Sequence, residues 1–227
     1  MSPAQVILRY AIAALVGYVL GSIPSSVVIS RLFGKPDPRT QGSGKTGATN
    51  AMRAMGAGPA LLVVLLDVGK GVAAVLLARF VFFPLPSGHV SLTDHNWQAG
   101  CEAIAAFAAL LGHNFSMFIG FKGGRGVATG GGGILAMAPL AILTGLVALI
   151  IPIYLTRYVS LGSIISAAVA GLTVTILAIS GQFGVYGPHA IFAVFGALFV
   201  IFSHRDNIER LLSGTERKLG KSSAAQE

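Results

Sequence analysis

An all-α integral membrane protein of seven transmembrane helices is the fold class this sequence predicts, and three observations carry it. Of 227 residues, 54% are hydrophobic and 11% charged, where a soluble domain carries about 25% charged residues. Apolar runs long enough to cross a hydrocarbon core recur along the chain. Lys and Arg gather in some connecting segments and are missing from others, which orients the spans.

The first apolar segment covers about 5–33. It has no basic region before its apolar stretch, so it reads as a first span and not as a cleaved signal. Further segments run over about 57–83, 98–118, 159–180 and 187–203. Residues 124–156 are apolar over 33 positions, roughly 50 Å of helix against a core of about 30 Å. The stretch 31–56 carries Arg31, Lys35, Arg39, Lys45 and Arg53, and the C-terminal end carries Arg205, Arg210, Arg217, Lys218 and Lys221. The segments 84–97 and 181–186 have no Lys or Arg. The basic segments therefore share the cytoplasmic side, which demands an even number of spans between them. Dividing 124–156 near Pro139 into a short Gly-rich helix and a full span, with Arg157 inside, satisfies that parity. The N-terminus is then outside and the C-terminus cytoplasmic. One domain is expected over 1–218, with no internal repeat, followed by a short disordered tail over 219–227. Cys101, the single cysteine, excludes an intrachain disulfide and reads as packing in an apolar helix.

Three polar or Gly-rich segments remain: GSGKTGATNAMR at 42–53, HNFSMFIGFKGGRGVAT at 113–129 and HRDNIERLLSGTE at 204–216. Separate loops obeying the positive-inside rule would explain any one of them. Under the predicted topology all three meet at the cytoplasmic face, where a shared anion site is the better reading. Glycines let backbone N–H groups turn toward phosphate oxygens, and a loop opening a helix adds its free N–H groups and dipole. Residues 123–133 fit such a loop, with Lys122 and Arg125 as countercharges. Ser43, Thr46, Thr49, Asn50 and Asn207 add neutral donors, and His113 or His204 can move a proton.

GSGKT at 42–46 resembles the end of a nucleotide-binding P-loop, but Arg39 stands where that motif needs its first glycine, and a membrane helix precedes it instead of a strand. HVSLTD, His89 to Asp94, has a His-x4-Asp spacing by chance on the outer side and reads as a polar loop. Asp67 and Lys70, at i and i+3 in the second span, can pair; an intramembrane ion pair is a functional candidate, and a structural brace is the preferred reading. Glu102, near the outer end of the third, is uninformative. No cluster of carboxylates, His or Cys has metal-ligand spacing.

The three segments together resemble the bacterial membrane glycerol-3-phosphate acyltransferases that use acyl phosphate, the PlsY family. Its signatures are similar to GSGNxGATNxxR, HxFxxFxxFKGGKGVAT and HRxNIxRLxxGxE, and GSIP at 21–24 and LDVGKG at 66–71 look like family features. The resemblance spans about 15 to 218 and implies a seven-helix fold with a cytoplasmic active site. It further implies transfer of a fatty acyl group from acyl phosphate to the sn-1 hydroxyl of glycerol 3-phosphate, in the cytoplasmic (inner) membrane. Carried onto this chain, Ser43, Arg53, Arg125, His204 and Asn207 are the catalytic positions. Thr49, Asn50, His113, Lys122, Gly123, Gly124, Gly126 and Glu216 bind substrate. Lys45 and Arg125 depart from the family's usual Asn and Lys. The implied partners are glycerol 3-phosphate, acyl phosphate, membrane lipid and, functionally, the enzyme that makes acyl phosphate; no cofactor, metal or nucleic acid is implied. Direct attack on the acyl carbonyl is expected, with proton transfer to His204 or to the substrate's own phosphate, the latter preferred. The alternative is a transporter of a phosphate-bearing solute; a metal-dependent phosphotransferase lacks its Asp cluster.

Overall fold

The computed structural model describes residues 2–85 and 90–220. All regular structure among them is helical. The first apolar segment forms α1 (Pro3–Ser22) and α2 (Ser25–Leu32), parted at Ile23–Pro24. Proline lacks the N–H that would continue the ladder. The break leaves the Ile23 carbonyl open to a side chain. A basic loop with a 3-10 turn at Pro38–Thr40 leads to α3 (Ala48–Met55) and then α4 (Ala57–Leu77), which ends in a π turn over Ala78–Phe82.

α5 (Leu92–Asn114) begins earlier than the hydrophobic pattern indicated, because Ser91 and Asp94 form a capping box. Asp94 of the HVSLTD decoy is therefore part of a helix cap; His89 lies outside the described residues. The long Gly-rich segment is divided as charge parity required: α6 (Val127–Met137) and α7 (Pro139–Thr156), with Pro139 opening the second helix. α8 (Val159–Ile179), α9 (Gly187–Ser203) and α10 (Arg205–Leu212) complete the chain. Leu219, at the start of the expected tail, donates its N–H to the Arg157 carbonyl. Residues 221–227 lie outside the described residues.

Five helical stretches are long and apolar enough to cross a bilayer: Pro3–Leu32, Ala57–Phe82, Leu92–Ile119, Pro139–Thr156 and Val159–Ile179. α9 with α10, bent by 57°, makes a sixth. α6 has 11 residues, about 16 Å of rise, short of a full span. The outer faces expose residues such as Ile150 and Leu155 of α7, as helices against lipid must. The chain is a multi-pass membrane protein.

Small residues set the packing. A Cβ on Gly17 or Gly21 of α1 would overlap the Ala105 or Ala109 carbonyl of α5, so those two helices meet backbone to backbone. α4 and α6 do the same through Gly71 and Gly132, against Thr129 and Val68. Polar braces hold the ends of the bundle. Arg79 binds Glu102 through Nε and Nη2, both at 2.9 Å, and His189 lies 3.2 Å from the same carboxylate. Glu102, uninformative in sequence, thus anchors three helices at the end opposite the motifs. Cys101 is fully buried and free.

Candidate functional site

α5 ends at His113 and Asn114, and the loop after it folds straight back. The N–H groups of Gly123 and Gly124 donate to the Asn114 and His113 carbonyls at 3.0 and 3.1 Å. A side chain on Gly123 would overlap the His113 carbonyl, and one on Gly124 the imidazole. These two glycines therefore spend their N–H groups closing α5, not cradling an anion. The donors fall two residues later. Gly126, with φ +80°, starts α6 without a side-chain cap, so the N–H groups of its first turn have no helical acceptor.

That turn opens into a cavity of about 500 Å³, within the roughly 300–1,000 Å³ of ligand sites. Thr49, His113, Arg125 and His204 line its polar end. The rest is largely apolar, walled by Ile134 of α6, Leu146 of α7, Ala167 of α8 and Phe192 of α9. Residues from all three sequence motifs converge on this cavity.

The polar end is cationic. Nε of Arg125 donates to the Ser203 carbonyl at 3.3 Å, and no carboxylate among the described residues pairs with it. Burial lowers its pKa, with Arg210 and Arg53 adding repulsion and Glu216 and Asp206 acting in the opposite sense. An anion bound here relieves both effects. His204 is 3% exposed, and burial pushes its pKa down to about 4, reinforced by Arg125. Its Nδ1 lies 2.8 Å from the Val200 carbonyl. A carbonyl only accepts, so Nδ1 carries the proton and Nε2 is a bare acceptor.

Other motif residues build the frame. Asn50 is buried; its amide donates to the Gln41 and Lys45 carbonyls at 3.0 and 2.9 Å and also to Pro38, and its Oδ1 accepts from the Ser43 N–H. It shapes the first loop rather than facing the cavity. Glu216 accepts from Asn207 at 2.7 Å, Ser160 at 2.9 Å and Arg210 at 2.8 Å, stapling the C-terminal segment to α8 and α10. Asn207 and Glu216 thus sit together behind the cavity. Ser43 is half-buried beside Asn50, Thr46 is buried, Lys45 is half-buried, and Arg53 and Lys122 are exposed. None of these five lines the cavity. Arg39, which stands where a P-loop needs its first glycine, forms a 2.7 Å ion pair with Asp37.

Two residues that sequence reasoning reads as a brace in preference to a functional pair reach the site. Asp67 lines the cavity, and Lys70 lies 2.9 Å from both Asp67 Oδ1 and His113 Nδ1. An intramembrane charge pair is the sequence signal for function, but its contact with His113 spans 43 positions.

Comparison with known proteins finds relatives over nearly the whole chain. The family model described as glycerol-3-phosphate acyltransferase matches residues 11–214. A glycerol-3-phosphate acyltransferase of Synechococcus sp. (strain JA-3-3Ab) is 44% identical over 92% of this chain and 93% of its own. Glycerol-3-phosphate acyltransferase 3 of Dehalococcoides mccartyi is 42% identical over 96% of this chain and all of its own. The crystal structure of PlsY (YgiH), an integral membrane glycerol 3-phosphate acyltransferase, in its glycerol 3-phosphate form has a TM-score of 0.78 at 32% identity, covering 96% of this chain and 99% of that one. The lysophosphatidic acid form has a TM-score of 0.75 at 31% identity, covering 93% and 95%.

Proposed function

The chain belongs to the glycerol-3-phosphate acyltransferase family, and from that premise we propose that its cavity takes the acyl chain of an acyl phosphate while the cationic end holds the phosphates. The observation that carries this is Arg125, a half-buried cation with no carboxylate partner among the described residues, beside the uncapped start of α6 at the end of a largely apolar cavity. An activated acyl donor with a phosphate head and a hydrocarbon tail matches both halves.

Acyl phosphate needs no covalent enzyme intermediate. The sn-1 oxygen of glycerol 3-phosphate attacks the acyl carbonyl carbon, and the bond from that carbon to the phosphate oxygen breaks. Inorganic phosphate leaves, and lysophosphatidic acid forms. Arg125 and the free N–H groups of residues 127–129 stabilise the charge, and Arg53, on α3 outside the cavity but near enough to Arg125 to repel it, takes the second phosphate at the cavity's mouth. The hydroxyl proton passes to the phosphate of glycerol 3-phosphate. A phosphate monoester titrates near pH 6, so it is a better base than His204, held at about 4. His204 Nε2 instead accepts and orients the hydroxyl.

In this reading the chain crosses the bacterial inner membrane seven times, α6 being the short pass, with the N-terminus outside and the site facing the cytoplasm. The basic content of 31–56 and of the C-terminal segment supports it, as does the bond from Leu219 to Arg157. The donor then arrives from the acyl-phosphate-forming enzyme on the cytoplasmic side, and the product stays in the lipid.

The test is an assay of the purified full chain with acyl phosphate and glycerol 3-phosphate, with and without chelator. Phosphate release matched by lysophosphatidic acid, insensitive to chelator, is the expected result. No release, or release only with acyl-CoA or acyl carrier protein as donor, overturns the proposed donor.

A further inference from the structure

Asp67, Lys70 and His113 are 2%, 8% and 6% exposed, on two different helices. Charges this deep must find partners in the protein. Lys70 Nζ has three protons and three acceptors: Asp67 Oδ1 at 2.9 Å, the Ile23 carbonyl at 3.1 Å and His113 Nδ1 at 2.9 Å. The Ile23 carbonyl is available because Pro24 breaks the helix there. Asp67 Oδ1 also accepts from Ser25 Oγ at 2.8 Å, while His113 Nδ1 is farther off at 3.6 Å.

An ammonium only donates. Nδ1 of His113 must therefore present its lone pair to Lys70, and in a neutral imidazole the proton then sits on Nε2. The Nε2 edge lies against Gly124, which has no side chain to cover it, and Nε2 has no hydrogen-bond partner among the described residues. His113 lines the same cavity as Arg125 and His204. We propose that the Asp67–Lys70 pair is a positioning device that locks His113 as its Nε2–H tautomer, supplying the cavity with a neutral donor for an anionic oxygen of the reacting acyl phosphate. The donor role rests on the function proposed above; the tautomer does not. The two histidines of the site then have opposite polarity: His113 donates, and His204, tied through Nδ1–H to Val200, accepts.

The experiment is 15N NMR of the histidine side chains in the full chain in detergent, without substrate, with the His113 signals assigned by their loss in His113→Gln. The wild type is expected to show a protonated Nε2 and a bare Nδ1. The charge-balanced double variant Asp67→Asn/Lys70→Met, checked for folding by its thermal transition, is expected to shift His113 toward the Nδ1–H form. Its kcat should fall about 10-fold or more, with KM for glycerol 3-phosphate changed by less than about 3-fold, because a donor that acts on developing charge has been lost. Adding His113→Gln to the double variant should restore part of kcat, since the amide donates whatever its neighbours are. A protonated Nδ1 in the wild type, or an unchanged tautomer in a folded double variant, overturns the positioning role. A shifted tautomer with unchanged kcat overturns the donor role. All the spectra are read without substrate, so they stand whichever acyl donor the enzyme uses.

Discussion

Arg125 is the residue on which the site turns. Its guanidinium is half-buried, repelled by Arg210 and Arg53, and among the described residues bonded only to the Ser203 carbonyl, which is why the proposed mechanism gives it the anion. Arg125→Ala is expected to lower kcat/KM at least about 100-fold, the scale of losing one charge-stabilising donor, while the thermal transition stays within a few degrees. Near-normal turnover would remove it from the mechanism. His204 sets the response to acid. Its folded pKa of about 4 lies below the ordinary 6.5, so protons favour the unfolded chain. Its contribution is intact above about pH 6.5 and is lost as pH falls toward 4, amounting to about 3 kcal/mol. His204→Gln should flatten the acid limb of a stability–pH curve and keep turnover within about 10-fold. A loss of all chemistry with both substrates still bound would make His204 the base after all.

At the scale of single elements, α6 shows why glycine is hard to read from sequence. The run from Gly123 to Gly133 looks uniform, yet its members do different jobs. Gly123 and Gly124 close α5, Gly126 opens α6, and Gly132 lets α4 approach. Gly130 and Gly131 face the cavity, where an added Cβ would meet only Leu110 at 3.7 Å or Ile142 at 3.5 Å. With no side chain, a glycine carries no local mark of what it faces. The loop before a short helix was legible, but its division of labour was not, because the N–H groups of 123 and 124 are taken by carbonyls of α5, which moves the donors of the proposed anion site to the first turn of α6. Gly132→Ala is expected to cost about 1–3 kcal/mol through overpacking, whereas Gly130→Ala leaves stability unchanged or slightly raised. Gly131→Leu should fold and favour shorter acyl chains in a donor series. Equal melting temperatures for the two alanine variants would contradict this division.

For the molecule as a whole, hydropathy and charge made the bundle legible, including the division at Pro139, because both are local properties of the chain. The bonds that order the site are not local. Lys70 with His113, Glu102 with Arg79 and His189, and Asn207 with Glu216 and Ser160 join helices that only the fold brings together. The orientation can be checked with cysteines, since Cys101 is fully buried and silent. On intact cells an impermeant maleimide is expected to label Gln182→Cys, on the exposed α8–α9 turn, but to label Ser213→Cys only after permeabilisation; the reverse pattern would invert the topology.

The staple at Glu216 also bears on how the enzyme is made. The cavity draws its walls from Gly47 through His204, and the α9–α10 corner is held by bonds that end at Glu216 and Leu219. A nascent chain synthesised from the N-terminus lays down the Gly-rich loop and the apolar walls of α6 to α8 first. His204, which lines the same cavity, and Glu216, which ties α10 to α8, come after them. A ribosome stalled after α8 therefore leaves an inserted bundle with an unfinished cavity, and competence is expected only once residues 187–219 have been made.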